Sequence, residues 1–209
     1  MRRVILAALC AVMMVGCSKG LRFEIEFPTN YPDATFYLTP EDQPGNYYMK
    51  AQSDAEGVVR FKGKLSQPIV ACISDGYAMI SHTFFVEEGL IKFGPLTEQS
   101  KEIVAYGTPA NDAHNNYVVD MNILETKYTT MPDTTGINLV EAMNRDFEEL
   151  GSKVQAENMD NILGVYLFVK EGIFRATCAE RDSIVSAFSP AMQTHPYLQE
   201  ALKNAPKCE

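Results

Sequence analysis

The sequence predicts an α+β protein: an N-terminal antiparallel β-sandwich or open barrel followed by an α-helical region. Three observations carry this. Apolar and polar residues alternate with period two from Leu21. Short β-type runs separated by turn residues then recur as far as Tyr106. Past Gly107 the apolar spacing becomes helical and helix-start signals appear.

In the first strand, Leu21, Phe23, Ile25 and Phe27 alternate with Arg22, Glu24 and Glu26, so one face is buried and the other wet. Further strands are predicted at Ala34–Leu38, Tyr47–Ala51, Val58–Lys62, Ile69–Ser74, Tyr77–Val86, Leu90–Phe93 and Glu102–Tyr106. Asp54 to Gly57 and Glu88-Gly89 are turn candidates. Asp75-Gly76 is the strongest, because Asp-Gly readily takes the positive φ of a type I′ hairpin. At the switch, Thr108-Pro109 reads as an N-cap with proline at the first helical position. Tyr117, Met121, Leu124 and Tyr128 follow at helical spacing. Asn138 with Glu141 resembles a capping box ahead of the stripe Leu139, Met143, Phe147, Leu150 and Val154. Ile162 to Val169 is apolar nearly all round, which predicts a buried helix. Thr177 and Glu180 form a capping box, and Ser189-Pro190 and His195-Pro196 start two short final helices.

The N-terminus reads as a targeting segment. Met-Arg-Arg is followed by an uncharged apolar run, Val4 to Gly16. That run is shorter than the roughly 20 residues needed to span a bilayer. Met14-Val15-Gly16-Cys17 resembles a bacterial lipobox, with Met14 in place of the usual leucine. The expected processing removes residues 1–16 as a signal peptide and acylates the Cys17 thiol. Two acyl chains suffice for stable anchoring, at about 0.8 kcal/mol per buried methylene. The expected organisation is then a lipid-anchored linker over 17–20, a β-sandwich domain over 21–106 and a helical region over 107–209. No aspartate follows Cys17 directly and no acidic cluster lies close behind it. By resemblance, the periplasmic face of an outer membrane is favoured and surface exposure stays open.

Losing Arg2 and Arg3 from a chain of net charge −9 leaves −11. An acidic surface argues against nucleic acid as a partner and against electrostatic docking on anionic lipid. Of the five cysteines, Cys10 leaves with the leader and Cys17 is the lipidation site. Cys72 sits in the apolar run Ile69 to Ile73 and reads as a buried core thiol. Cys178 and Cys208 are the candidate disulfide pair, with free thiols as the alternative.

No motif supplies catalysis. Gly16-Cys17-Ser18-Lys19-Gly20 matches the nucleophile-elbow spacing but straddles the cleavage site and lacks its strand-to-helix context. His82, His114 and His195 are not spaced as metal ligands; capping or surface roles are expected for His114 and His195. Glu87-Glu88 reads as a solvated turn. No phosphate-binding or dinucleotide loop is present, so no cofactor is expected. Phe36, Tyr37, Tyr47 and Tyr48 are either core aromatics or a stacking platform for a ligand.

In combination, several segments resemble the domain-of-unknown-function envelope lipoproteins that usually precede a thioredoxin-like, TlpA-type thiol-disulfide domain. They are the lipobox at Cys17, the strand Phe23 to Phe27, Gly57 to Lys64 followed by Gln67-Pro68-Ile69, Phe85 to Ile91, Gly107 to Asp112, Asn158–Val169 and His195 to Leu198. The resemblance implies a Gram-negative envelope location and an association with redox proteins. The sequence ends at Glu209, about where such a redox domain would begin, and has no CxxC, so none of the family's catalytic residues carries over. Three functional readings follow: a non-enzymatic module binding an envelope protein or component, a thiol-linked accessory protein using Cys178 or Cys208, and a glycan or small-ligand binder using the strand aromatics.

Overall fold

The computed structural model describes residues 20–41, 46–132 and 138–207. Eight strands precede six α-helices among them, which is the α+β architecture that the sequence predicts. The strands are β1 (Leu21–Pro28), β2 (Thr35–Pro40), β3 (Met49–Gln52), β4 (Val58–Leu65), β5 (Ile69–Ser74), β6 (Phe84–Val86), β7 (Gly89–Pro95) and β8 (Ile103–Tyr106). They form a first sheet in the order β4-β1-β7-β8 and a second in the order β3-β2-β5-β6. All pairings are antiparallel except β1 with β7. The sheets do not merge into a closed barrel, so the sandwich alternative holds.

The period-two pattern sets the core. Phe23, Ile25 and Phe27 of β1 and Val59 and Phe61 of β4 meet Phe36 and Leu38 of β2, Ile73 of β5 and Phe84 of β6. Each such side chain contributes about 1.5–3 kcal/mol on leaving water. On the outer face of the first sheet, Glu24 lies opposite Lys62 and Glu26 opposite Arg60. Lys62 Nζ sits 2.7 Å from Glu24 and Arg60 Nε 3.4 Å from Glu26. That face is a solvated ladder of charge.

The outer face of the second sheet is different. Val70 and Phe85 point outward into a second apolar cluster built with Ile162, Leu163, Phe168 and Leu198. β5 is therefore covered on both faces at this end, and its sequence is a continuous apolar run instead of an alternation. The covering helices are α1 (Pro109–Thr130), α2 (Leu139–Glu157), α3 (Ile162–Leu167), α4 (Cys178–Ala187), α5 (Pro190–Gln193) and α6 (Pro196–Asn204). A π-helical turn over Phe168–Gly172 extends α3.

Polar pins fix the helices to the sheet. The buried Asn111 accepts from Phe85 N at 2.9 Å and donates to Phe85 O at 2.7 Å and to the Thr108 hydroxyl at 2.8 Å. Glu87 accepts from Ala110 N at 2.7 Å, so it caps the first turn of α1 instead of standing in a solvated turn. His195 is 2% exposed and so does not lie at the surface. Its Nδ1 accepts from Tyr197 N at 3.2 Å as the cap of α6, and its Nε2 lies 2.9 Å from Pro68 O. With Nδ1 accepting, Nε2 carries the proton and donates to Pro68. Thr177 and Glu180 make the reciprocal capping box expected of them, and the Asn138 side chain accepts from Glu141 N. Between α1 and α2, Tyr128 donates to Asp146 at 2.5 Å, and this bond with Lys127 holds the Asp146 carboxyl down at about 2.

Two further local expectations need correction. Asp75-Gly76 does not make a type I′ turn: Gly76 alone has positive φ, at 90°, and Asp75 Oδ1 accepts from Tyr77 N and Ala78 N at 2.8 Å, although the chain does reverse there, with Asp75 N donating to Ala78 O at 3.2 Å and Ser74 bridging Met79. This Asx-type turn opens a loop, so only Phe84–Val86 of the predicted Tyr77–Val86 strand is a strand. His114 is not a cap and is only partly exposed. It lies one turn inside α1, edge-on to Phe85 at 5.5 Å and to Tyr166 at 5.6 Å.

Burial lowers the His114 pKa from 6.5 to about 4. The folded chain thus takes up this proton less readily than the unfolded chain. The stability that depends on it is intact above pH 6.5 and is lost as the pH falls from there through about 4. The expected loss is about 3 kcal/mol. Denaturant unfolding at neutral pH and near pH 4, compared between the native chain and His114→Gln, isolates it: the native chain should weaken more.

Candidate functional site

The helices cover only the β5–β6 end of the second sheet. Towards β2 and β3 the outer face is open, and there Tyr37 and Thr39 of β2 and Cys72 and Ser74 of β5 floor a hollow of about 530 Å³. The alternation that buries Phe36 and Leu38 in the sandwich turns Tyr37 and Thr39 outward. One wall comes from Tyr47 and the other from the loop that Asp75 opens, which carries Tyr77 and Met79. Tyr37 and Tyr47 pack with ring centroids 5.0 Å apart, tilted by 56°. Gly76 lies against the Tyr37 ring: a Cβ there would come within 3.2 Å of it. Tyr77 is 99% exposed, Met79 75% and Tyr47 54%.

A second hollow of about 350 Å³ adjoins the first, since Tyr47 and Pro40 line both. It runs between Tyr48, Gln67, His195 and Tyr197 towards α6. The Tyr48 hydroxyl donates to Lys64 O at 2.8 Å, which fixes its ring along the rim. Tyr47 thus stands between the two hollows, which together make the grooved part of this face. At its far end Glu41 pairs with Lys170, whose ammonium also lies 5.7 Å from the centre of the Tyr166 ring. Glu41 Oε2 is buried with no hydrogen-bond donor among the described residues.

Cys72 is the described free thiol. It is buried, as its apolar run predicts, and Sγ lies 3.7 Å from Thr39 O. Desolvation, with the Glu41 charge nearby, raises its pKa, so little thiolate forms. Cys178 opens α4 and is disulfide-bonded. Beside it the buried Arg181 donates to Pro206 O at 2.7 Å, and its Nη2 lies 3.7 Å from Cys178 Sγ. Cys17 and Cys208 lie outside the described residues.

The aromatics named from the sequence therefore divide. Phe36 is core, Tyr37 and Tyr47 form the platform, and Tyr48 lines the neighbouring hollow. The sequence pattern does not mark Tyr77 and Met79 as site residues, because Tyr77–Val86 reads as a strand. The Asp-Gly pair just before them is the signal that places them at a loop tip.

A smaller cleft of about 250 Å³ lies beside α1, lined by His82, Glu102, His114, Asn115 and Tyr166. His82 and Glu102 form an exposed pair at 3.7 Å. Burial pushes the Tyr166 hydroxyl up to about 12. His114 is uncharged near neutral pH, because burial lowers its pKa to about 4. Among the described residues, no group of three His, Cys, Asp or Glu is disposed to hold a metal, and no helix is long and apolar enough to cross a membrane. No protein family, curated protein or solved structure matches the chain.

Proposed function

We propose that this chain is a non-enzymatic binding module, held at a Gram-negative envelope by an acylated Cys17, and that its binding face is the open half of the second sheet. The observation that carries this reading is the groove. Tyr37, Tyr47, Tyr77 and Met79 are gathered on a part of the outer sheet surface that, among the described residues, the helices leave bare. The opposite sheet face carries paired charges instead. Rigid tyrosines interspersed with serine, glycine and asparagine give large contact area at low entropic cost, which is the chemistry of recognition surfaces. The lipobox resemblance at Cys17 and the apolar run before it support the anchor.

The thiol-linked alternative has less behind it. Cys72 is buried and its thiol is held protonated, and Cys178 is engaged in a disulfide. We take Cys208 as the partner of Cys178 because Arg181 already ties the Cys178 turn to Pro206.

Two measurements test the proposal. Intact mass of the chain extracted from its native membrane should show residues 1–16 absent and Cys17 acylated; an unprocessed or bare N-terminus contradicts the anchor. The purified full-length chain should retain a component of its native envelope that the double variant Tyr47→Ala, Tyr77→Ala does not. Equal retention by both contradicts the groove as the binding face.

A further inference from the structure

We propose that the groove binds an uncharged glycan chain, a deepening that rests on the groove being the binding face. The first ground is charge. Among the described residues lining the two hollows, Glu41 is the sole Asp, Glu, Lys or Arg, and Lys170 already meets its charge. In a chain of which 22% is charged, a surface so free of ions does not suit a phosphate-bearing, acidic or basic partner.

The second ground is the mixture of groups that remain. Pyranose rings present apolar C–H faces and a rim of hydroxyls. Tyr37, Tyr47 and Tyr77 offer ring faces and edges for the first. Asn46, Gln67 and Ser74 offer neutral donors and acceptors for the second.

The third ground is extent. Two hollows of about 350 and 530 Å³, one on each side of Tyr47, fit a chain of several sugar units better than one small molecule. Tyr47 is then the central stacking residue, with contacts on both sides.

The test is calorimetric titration of the full-length chain in detergent with neutral gluco-, manno- and galacto-hexasaccharides, with a hexuronate oligosaccharide as the charged comparison and an apolar peptide as the competing ligand. Saturable binding to a neutral oligosaccharide is expected, with no binding of the hexuronate and little change between low and high salt. Tyr47→Ala should weaken binding by about tenfold or more, whereas Tyr47→Phe, which keeps the ring, should retain most of it. No binding to any neutral oligosaccharide overturns the glycan assignment. Peptide binding that Tyr47→Ala abolishes overturns the glycan but leaves the groove as the binding face. Glycan binding indifferent to both Tyr47→Ala and Tyr77→Ala overturns both.

Discussion

Replacing Phe85 with alanine is expected to lower stability by about 4 kcal/mol and the melting temperature by roughly 10 °C. Phe85 is fully buried, yet it points away from the sandwich core. Its ring stands edge-on to Tyr166 at 5.3 Å and to His114 at 5.5 Å, so it is the wedge on which the helices seat. Truncation loses the transfer energy of the ring and leaves a cavity that the Asn111 pin, bonded to the Phe85 backbone itself, stops from collapsing. A second readout follows from the same geometry. Water admitted beside His114 removes the desolvation that depresses its pKa, so the imidazole should titrate closer to its ordinary value. Thermal unfolding and an NMR titration of the imidazole check the two effects. A normal melting temperature would mean that the helices are seated by something other than Phe85.

Gly164→Ala is expected to cost about 3 kcal/mol, although alanine in a helix ordinarily gains about 1 kcal/mol over glycine. The sign reverses because of what a Cβ meets. At Gly164 it would fall 2.1 Å from the carbonyl oxygen of Asn158. That oxygen belongs to the turn in which Asn161 N donates to Asn158 O and the Asn161 side chain donates to Asn158 Oδ1. Backbone held in this way cannot swing aside. Gly151 of α2 is the contrast. A Cβ there meets the Glu171 carboxylate at 2.8 Å, the far end of a flexible side chain. Gly151→Ala should therefore stay within about 1 kcal/mol of the native chain, the helix gain offsetting strain on the Tyr117–Glu171 hydrogen bond. Urea unfolding of both variants separates the two cases; equal stability would mean that the loop at Asn158 gives way.

Much of the fold is legible in the sequence because the relevant forces are local. Phe23, Ile25 and Phe27 alternate since β1 has one dry and one wet face. Thr177 and Glu180 announce α4 since four orphan amides need acceptors wherever a helix starts. The failures share a cause, namely that the deciding partner is remote in sequence. Glu87 looks like a solvated turn until α1 delivers Ala110 N to it, across 23 positions. His114 looks like a surface residue until Phe85 of β6 and Tyr166 of α3 pack edge-on against its ring.

The site was half legible for the same reason. Tyr47 and Tyr48 are visible as an aromatic pair, but whether such a pair is core or platform depends on where the helices stop. Cys72 and Val70 are two outward residues of the same strand. Helices cover the second and leave the first at the floor of a groove. No periodicity in β5 marks that difference.

Photo-crosslinking in living cells tests the binding face most directly. A benzophenone amino acid placed at Tyr77, on the groove wall, is compared with one at Val140, which is 63% exposed on α2. A discrete adduct is expected from position 77, absent from position 140 and lost when Tyr47→Ala is added. No adduct at position 77, or the same adducts from both positions, would mean that the open half of the second sheet is not where this chain meets its ligand.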